Sequence, residues 1–224
     1  MKVFDAGLRE EVSSTRRRVL DAAARLVLED GFDAVTLVRL SQASGVSNGS
    51  IYHHFGSKDG VLASVLTEIV QDFHRCVLAA LDHYPDDAHA GVLGAVGAHL
   101  SWTEQHRDQA LLLQRYRERV ARGPEQRRIS ELNRDFRNRS TAWLHRQAEA
   151  GRLPVVTAEV GHALVFAPAA ELCRVWLTKH TFPAPTTFTA VLGEAAWAAL
   201  RTLPSQARPR ENRTPDSGED TSRT

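Results

Sequence analysis

The chain has 224 residues, of which 42% are hydrophobic and 25% are charged, and its formal net charge is +1. These values are typical of a soluble globular protein, and they exclude a protein that binds polyanions through a large overall excess of positive charge. The two cysteines, Cys76 and Cys173, are too few for a disulfide framework and favour a reducing compartment. Because the sequence has no apolar run of about 18 residues and no N-terminal stretch suited to a signal peptide, we expect a cytoplasmic protein.

The N-terminal part of the chain predicts a flexible arm followed by two short helices. Residues 1–13 show little apolar periodicity, so we expect them to form the arm. A helix that starts near Ser14 would end at Gly31, since glycine accepts the left-handed conformation that closes a helix. The second helix would be capped by Thr36 and would end at Gly45.

Residues 45–58, with the sequence GVSNGSIYHHFGSK, have the spacing of a helix-turn-helix motif. Gly45 permits the turn after the second helix, and the hydroxyl of Ser47 can cap the third. In this motif the later helix enters the major groove of DNA, and residues near its N-terminus contact base edges. The pattern therefore predicts a helix-turn-helix DNA-binding domain over residues 14–57.

The third helix carries polar side chains suited to bases and phosphates. Asn48 and Ser50 are short polar groups near its start, where base edges are read. Gly49 allows the backbone to approach a phosphate closely, whereas Tyr52 and His53 can donate hydrogen bonds to phosphate oxygens. The complete set of candidate DNA-binding residues is Thr36, Ser47, Asn48, Gly49, Ser50, Tyr52, His53, His54 and Lys58.

Charge is distributed unevenly in this region. The window 34–58 contains two basic residues, Arg39 and Lys58, and no acidic residue. This distribution permits a phosphate-facing surface, although residues 1–60 carry equal numbers of acids and bases.

Longer helical patterns follow, and none of the chain shows the period-two alternation of strands. A helix from Lys58 to about His83 is predicted by apolar residues that recur at intervals of four. Five further helices would extend to residue 203, so we expect an all-α fold of about nine helices with a second domain over 58–203. Residues 204–224 are almost all polar, charged, Pro or Gly, and they predict a disordered tail.

The N-terminal segment resembles that of the TetR family of transcriptional regulators, over about residues 14 to 66. The positions in register with the pattern of that family are Thr36, Leu40, Gly45, Val46, Ser47, Ser50, Ile51, Tyr52, His54, Phe55, Ser57 and Lys58. The resemblance implies a homodimer that binds a palindromic double-stranded DNA operator. It further implies a repressor that is released from the operator when a small-molecule effector, here of unknown identity, binds the second domain.

The same resemblance implies an effector cavity and a dimer interface in the second domain. We expect a mostly apolar, aromatic cavity with few polar anchors, and dimer contacts through the last two helices. The candidate ligand-binding residues are Phe73, Trp102, His106, Tyr116, Trp143, Phe166 and Glu171, of which His106, Tyr116 and Glu171 would be the anchors.

Few residues of the sequence support a function other than DNA binding and regulation. The histidines and cysteines lack the spacing of a metal site, and no phosphate-binding loop or nucleophile motif is present, so we expect no metal, no cofactor and no enzymatic activity. Two alternatives remain open at this stage. One is a TetR-like regulator without a small-molecule effector, and the other is a helical ligand-binding or enzymatic protein whose helix-turn-helix is vestigial.

Overall fold

The computed structural model describes residues 3–120, 126–179 and 182–204. Within those ranges the fold is all-α and contains no strand, as expected. Two 3-10 helices, Phe32–Ala34 and Pro185–Phe188, supplement the α-helices. The α-helices are α1 (Val3–Asp30), α2 (Leu37–Ser44), α3 (Asn48–Phe55), α4 (Lys58–His83), α5 (Ala88–Gln105), α6 (Arg107–Val120), α7 (Gln126–Glu149), α8 (Ala158–Thr178) and α9 (Thr189–Thr202).

Helix α1 is longer than expected. It begins at Val3, so most of the segment 1–13, which the sequence predicted to be an arm, is helical. Adding residues to an existing helix avoids the unfavourable nucleation step, and the segment contains no proline that would stop it. Ser14 consequently lies inside α1 and does not cap it. The expected tail, from residue 205 onward, lies outside the described residues.

Three side-chain caps set the N-terminal ends of α2, α3 and α4. Thr36 Oγ1 accepts a hydrogen bond from Arg39 N at 3.2 Å, and Ser47 Oγ accepts one from Ser50 N at 3.2 Å. Ser57 Oγ likewise accepts from Gly60 N at 3.0 Å. Each bond satisfies a backbone N–H that the first turn of a helix leaves without a partner.

Two hydrophobic clusters form the core, and α4 belongs to both. The first cluster joins α1, α2 and α3 to the N-terminal half of α4, with Val61 and Leu66 at its centre. The second joins the C-terminal half of α4, including Val77, to helices α5, α7, α8 and α9. Phe73 is partly buried and packs against both clusters. Helix α4 therefore links the two domains.

Where α5 crosses α7, a side chain larger than that of Gly91 does not fit beside Trp143. Trp143 is only 1% exposed, and its Nε1 donates a hydrogen bond to Tyr84 O at 3.1 Å. Its ring covers Gly91, where an added Cβ would lie 2.2 Å from Trp143 Cζ2. The glycine thus allows α5 to approach a tryptophan whose position is fixed at both its ring and its nitrogen.

We predict that Gly91→Ala destabilises the protein by about 1–3 kcal/mol, because the new methyl group overlaps the buried indole ring. Urea denaturation of the full chain would measure the change. The control is Gly49→Ala, since nothing lies within 4 Å of the added Cβ at that position. The control should be neutral or stabilised by up to about 1 kcal/mol. Equal stabilities of the Gly91 variant and the wild-type protein would contradict the packing described here.

Candidate functional site

Helix α3 has one face in the core and one in solvent. Ile51 is 0% exposed and Phe55 is 9% exposed, so both anchor the helix. On the opposite side Asn48 and His53 are exposed, and Tyr52 is 64% exposed although it is a large aromatic residue. The fold thus presents a polar, partly aromatic helix surface on a rigid base.

The turn before α3 is held by hydrogen bonds and by packing. Gly45 adopts a left-handed φ of 68°, and the next residue, Val46, is 4% exposed. Ser44 Oγ donates to Leu40 O at 2.6 Å and accepts from Val46 N at 3.3 Å. These contacts set the angle between α2 and α3 without help from any partner molecule.

Several positive charges near this surface are already engaged. Lys58 Nζ donates to Val35 O at 3.1 Å and lies 4.6 Å from the centre of the Phe32 ring. Arg39 forms an ion pair with Asp30 and donates to the backbone oxygen at residue 34. In the free protein, Lys58 therefore ties the start of α4 to the preceding loop, so a contact between its amine and phosphate would require the side chain to swing outward.

A cavity of about 160 Å³ lies between α4, α5, α7 and α8. Its walls are aromatic rings with imidazoles, one amide and one guanidinium. The lining residues are Phe73, His74, His99, Asn133, Phe136, Arg137, His162 and Phe166.

The three histidines of the cavity are held in their neutral form. Burial lowers the pKa of His99 to about 4. Burial, followed by the neighbouring His162, lowers the pKa of His74 to about 4 as well. The pKa of His162 is also lowered, first by burial and then by the positive charge of Arg137. At neutral pH the cavity therefore contains one formal charge, that of the arginine.

His99 is the most constrained of these groups. Its ring meets that of Phe73 edge to face, with 4.9 Å between the ring centres. Its Nδ1 is buried and has no hydrogen-bond partner in the part of the chain that the structure describes. A buried polar atom without a partner is unfavourable, and in native proteins such an atom requires an explanation, such as an ordered water, an ion or a functional role.

The structure brings together only some of the candidate ligand residues. Phe73 and Phe166 line the cavity. His106 instead borders a separate cleft of about 450 Å³ beside α1 and α4. Trp102 lies between these sites: its ring packs on those of Phe73 and His106, and its Nε1 donates to Asp72 Oδ2 at 2.9 Å.

Three other candidates lie away from the cavity. The hydroxyl of Tyr116 accepts a hydrogen bond from Phe32 N at 3.2 Å, which joins α6 to the N-terminal domain. Trp143, a residue of α7, is buried against α5. Glu171 is exposed on α8 and forms two hydrogen bonds with Arg174, at 2.7 and 2.6 Å. These contacts give the three side chains structural roles in the free protein.

The sequence of the helix-turn-helix segment is similar to that of one family of known proteins. The sequence profile of bacterial regulatory proteins of the tetR family matches residues 19–65. Residues 19–65 are therefore similar to the N-terminal domain of TetR-family regulators. The HTH-type transcriptional repressor Rv1474c of Mycobacterium tuberculosis is 41% identical over 59 residues, which are 26% of this chain and 32% of that protein. The resemblance inferred from the motif is thus confirmed, and the chain matches only about a third of the length of such relatives.

Solved structures extend the similarity beyond the TetR domain. The fatty acid degradation regulator FadR of Bacillus halodurans has a TM-score of 0.68 with 19% identity, over 81% of this chain and 93% of its own. FadR of Bacillus subtilis, solved in complex with stearoyl-CoA, has a TM-score of 0.66 with 17% identity, over 80% of this chain and 96% of its own. At these identities the likeness establishes the shared fold alone: a helix-turn-helix segment followed by a helical C-terminal domain.

Sequence reasoning about the TetR-like second domain missed most of the cavity wall. Asn133, Phe136 and Arg137 lie on α7, and His162 lies on α8. One signal was available: His162 is the one polar side chain in the stretch 160–170, and a polar residue in an apolar stretch needs an explanation. The three described ranges contain no group of three His, Cys, Asp or Glu side chains placed to hold a metal ion, even though three histidines meet here.

We predict that His99→Phe stabilises the ligand-free protein at neutral pH by about 1–3 kcal/mol, because it removes a buried polar atom without a partner and keeps the ring. Chemical denaturation would measure the free energy of unfolding. The control His53→Phe replaces an exposed imidazole and should change this free energy by less than about 0.5 kcal/mol.

The pH dependence gives a second readout for the same variant. Because the pKa of His99 is lowered in the folded protein, the unfolded chain binds more protons as the pH falls from about 6.5 towards about 4. The wild-type protein should lose stability over that interval, and His99→Phe should lose less. His74 and His162, whose pKa values are also lowered, remain in the variant, so part of the slope should persist. Identical slopes would contradict a buried neutral His99.

Proposed function

We propose that this chain is a cytoplasmic DNA-binding transcriptional regulator that acts as a repressor and is released from its operator by a small molecule. The observation that carries the proposal is the exposed polar face of α3. The side chains of Asn48, Tyr52 and His53 are exposed to solvent. Ile51 and Phe55, on the other side of the helix, are buried and anchor it in the core.

The chemistry of this face suits double-stranded DNA. Asn48 and Ser50 lie in the first turn of α3, where short polar side chains reach base edges in the major groove. The positive end of the helix dipole at the same place favours a phosphate. Gly49 has open space around its Cα, so a DNA backbone can approach closely. Tyr52 and His53 then supply donors for neighbouring phosphates.

A second copy of the chain is the proposed partner of helices α8 and α9. Only 33% of the most apolar 18-residue window of helix α8 is buried within one chain. Val191 on α9 is 62% exposed. Length and composition alone would allow α8 to cross a membrane. We favour a dimer because α8 packs in a bundle against α5, α7 and α9, and a twofold contact would cover the remaining apolar face.

Helix α4 is the proposed route from the ligand to the DNA. It runs without interruption from Lys58 beside the DNA-binding domain to the cavity wall at Phe73 and His74. Lys58 and Phe73 are about 22 Å apart at a rise of ~1.5 Å per residue, so a small tilt at the cavity displaces the other end. A ligand weakens operator binding only if it favours a conformation with altered spacing of the two α3 helices, and the coupling is reciprocal.

Selection of bound fragments from a random DNA pool, followed by mobility-shift titration at physiological salt, tests the proposal. A twofold dimer should select a palindrome whose half-sites are separated by about one helical turn or a multiple of it. Absence of any preferred sequence would argue against the proposed function.

We predict different effects for two neighbouring substitutions in α3. Asn48→Ala should change the preference among operator variants by about 1–3 kcal/mol, because it removes a base contact. Gly49→Ala should instead weaken binding to all sequences alike, because the methyl group separates the helix from the phosphate. Mobility shifts on the selected operator and on single-base variants would measure both. If both variants shift every sequence equally, Asn48 does not contact a base.

We predict that Val191→Glu converts the dimer into a monomer, because it buries a charge in the proposed twofold contact. Sedimentation velocity at micromolar concentration would measure the assembly. Val38→Glu is the matched control, since Val38 is 55% exposed on α2, outside the proposed contact. That variant should remain a dimer. A Val191→Glu protein that still sediments as a dimer would place the interface elsewhere.

A further inference from the structure

We propose that the cavity between α4, α5, α7 and α8 binds a single-ring aromatic carboxylate, with its ring among the phenylalanines and its carboxylate at Arg137. The inference rests on the proposed function, because it names the chemical class of the effector that would act on the DNA-binding domain. It is drawn from the size, the lining and the charge of the cavity.

The size of the cavity limits the ligand. Its volume is about 160 Å³. An engineered apolar cavity of about 150 Å³ in another protein accommodates one benzene molecule. One aromatic ring with a small substituent therefore matches the space.

The walls favour an aromatic ring over an aliphatic one. Phe73, Phe136 and Phe166 line the cavity from three different helices. His74 is stacked on Phe136, with 4.3 Å between the ring centres and 7° between the planes. The ring edges and faces of these residues offer edge-to-face or offset-stacked contacts to a flat ligand.

The charge of the lining selects an anion. Arg137 contributes the one formal charge, and none of the lining residues is acidic. In the described ranges its guanidinium has no carboxylate partner, in contrast to Arg139, which pairs with Asp82 at 3.2 Å. Asn133 lines the cavity one helical turn before Arg137, so an amide and a guanidinium can bind the same carboxylate.

His99 adds a preference for a hydroxyl group on the ring. This imidazole lines the cavity, and its buried Nδ1 lacks a hydrogen-bond partner among the described residues. A neutral imidazole nitrogen can accept a hydrogen bond from a hydroxyl or donate one to it. A hydroxylated aromatic acid that reached this nitrogen would satisfy a polar atom that no residue in the described ranges satisfies.

Calorimetric titration of the full chain, in the absence of DNA, tests the inference with defined probes. Benzoate and salicylate should bind, and benzyl alcohol, which has the ring but no charge, should bind at least about tenfold more weakly than benzoate. Cyclohexanecarboxylate, which has the charge but no aromatic ring, should also bind more weakly than benzoate. Binding of stearoyl-CoA with no binding of the aromatic acids would overturn the proposal.

Substitutions assign the contacts. Arg137→Gln should weaken benzoate binding by about tenfold or more and leave benzyl alcohol within about twofold. The matched control is Arg139→Gln, on the same helix, which should leave both probes unchanged because its charge lies outside the cavity. His99→Phe should weaken salicylate binding more than benzoate binding. Equal benzoate affinity in the Arg137 and Arg139 variants would overturn the assignment of the carboxylate.

A mobility shift with the selected operator separates this inference from the proposed function. Aromatic acids that bind in calorimetry and release the operator support both. Acids that bind without changing operator affinity support the site and contradict ligand-relieved repression. Operator binding by a protein to which no aromatic acid binds leaves the DNA-binding function intact and overturns the inference.

Discussion

The packing of helix α4 into both hydrophobic clusters is the constraint on which the rest of the structure depends. Its N-terminal half packs in the first hydrophobic cluster and its C-terminal half in the second, over 26 residues or about 39 Å. Well-packed interiors transmit strain, so a displacement of one half of the helix would disturb the packing of the other half. Phe73 packs against both clusters and lines the cavity, so it would be the first residue of α4 to respond to the proposed ligand.

A second connection between the domains lies beside α4. Phe32, in the loop between α1 and α2, is held by the hydroxyl of Tyr116 from α6 and by the ammonium of Lys58 from α4. The DNA-binding helices are thus attached to the second domain through α6 as well as through α4. A displacement of α6 relative to α4 would act directly on the loop that precedes α2, so the orientation of α3 depends on both attachments.

The cavity combines features that stability alone does not favour. Three imidazoles are buried enough to lower their pKa values, and one of them leaves a ring nitrogen without a partner among the residues described. Phenylalanine at His99 would fill a similar volume at a lower desolvation cost. Retention of a polar residue at such a position is understandable if the cavity is occupied for part of the time, because a ligand would supply the missing hydrogen bond.

The sequence by itself determined the all-α class, the helix-turn-helix and the ends of α2, α3 and α4. Those features depend on contacts within a few residues: the hydroxyls of Thr36, Ser47 and Ser57 cap the next turn, and Gly45 accepts a left-handed conformation that other residues resist. Only the tertiary structure decided which faces of α4, α5, α7 and α8 meet. Periodicity shows that a helix has an apolar face but not which other helix covers it, and so the positions of Arg137 at the cavity and of Tyr116 at the domain junction could not be inferred from local pattern.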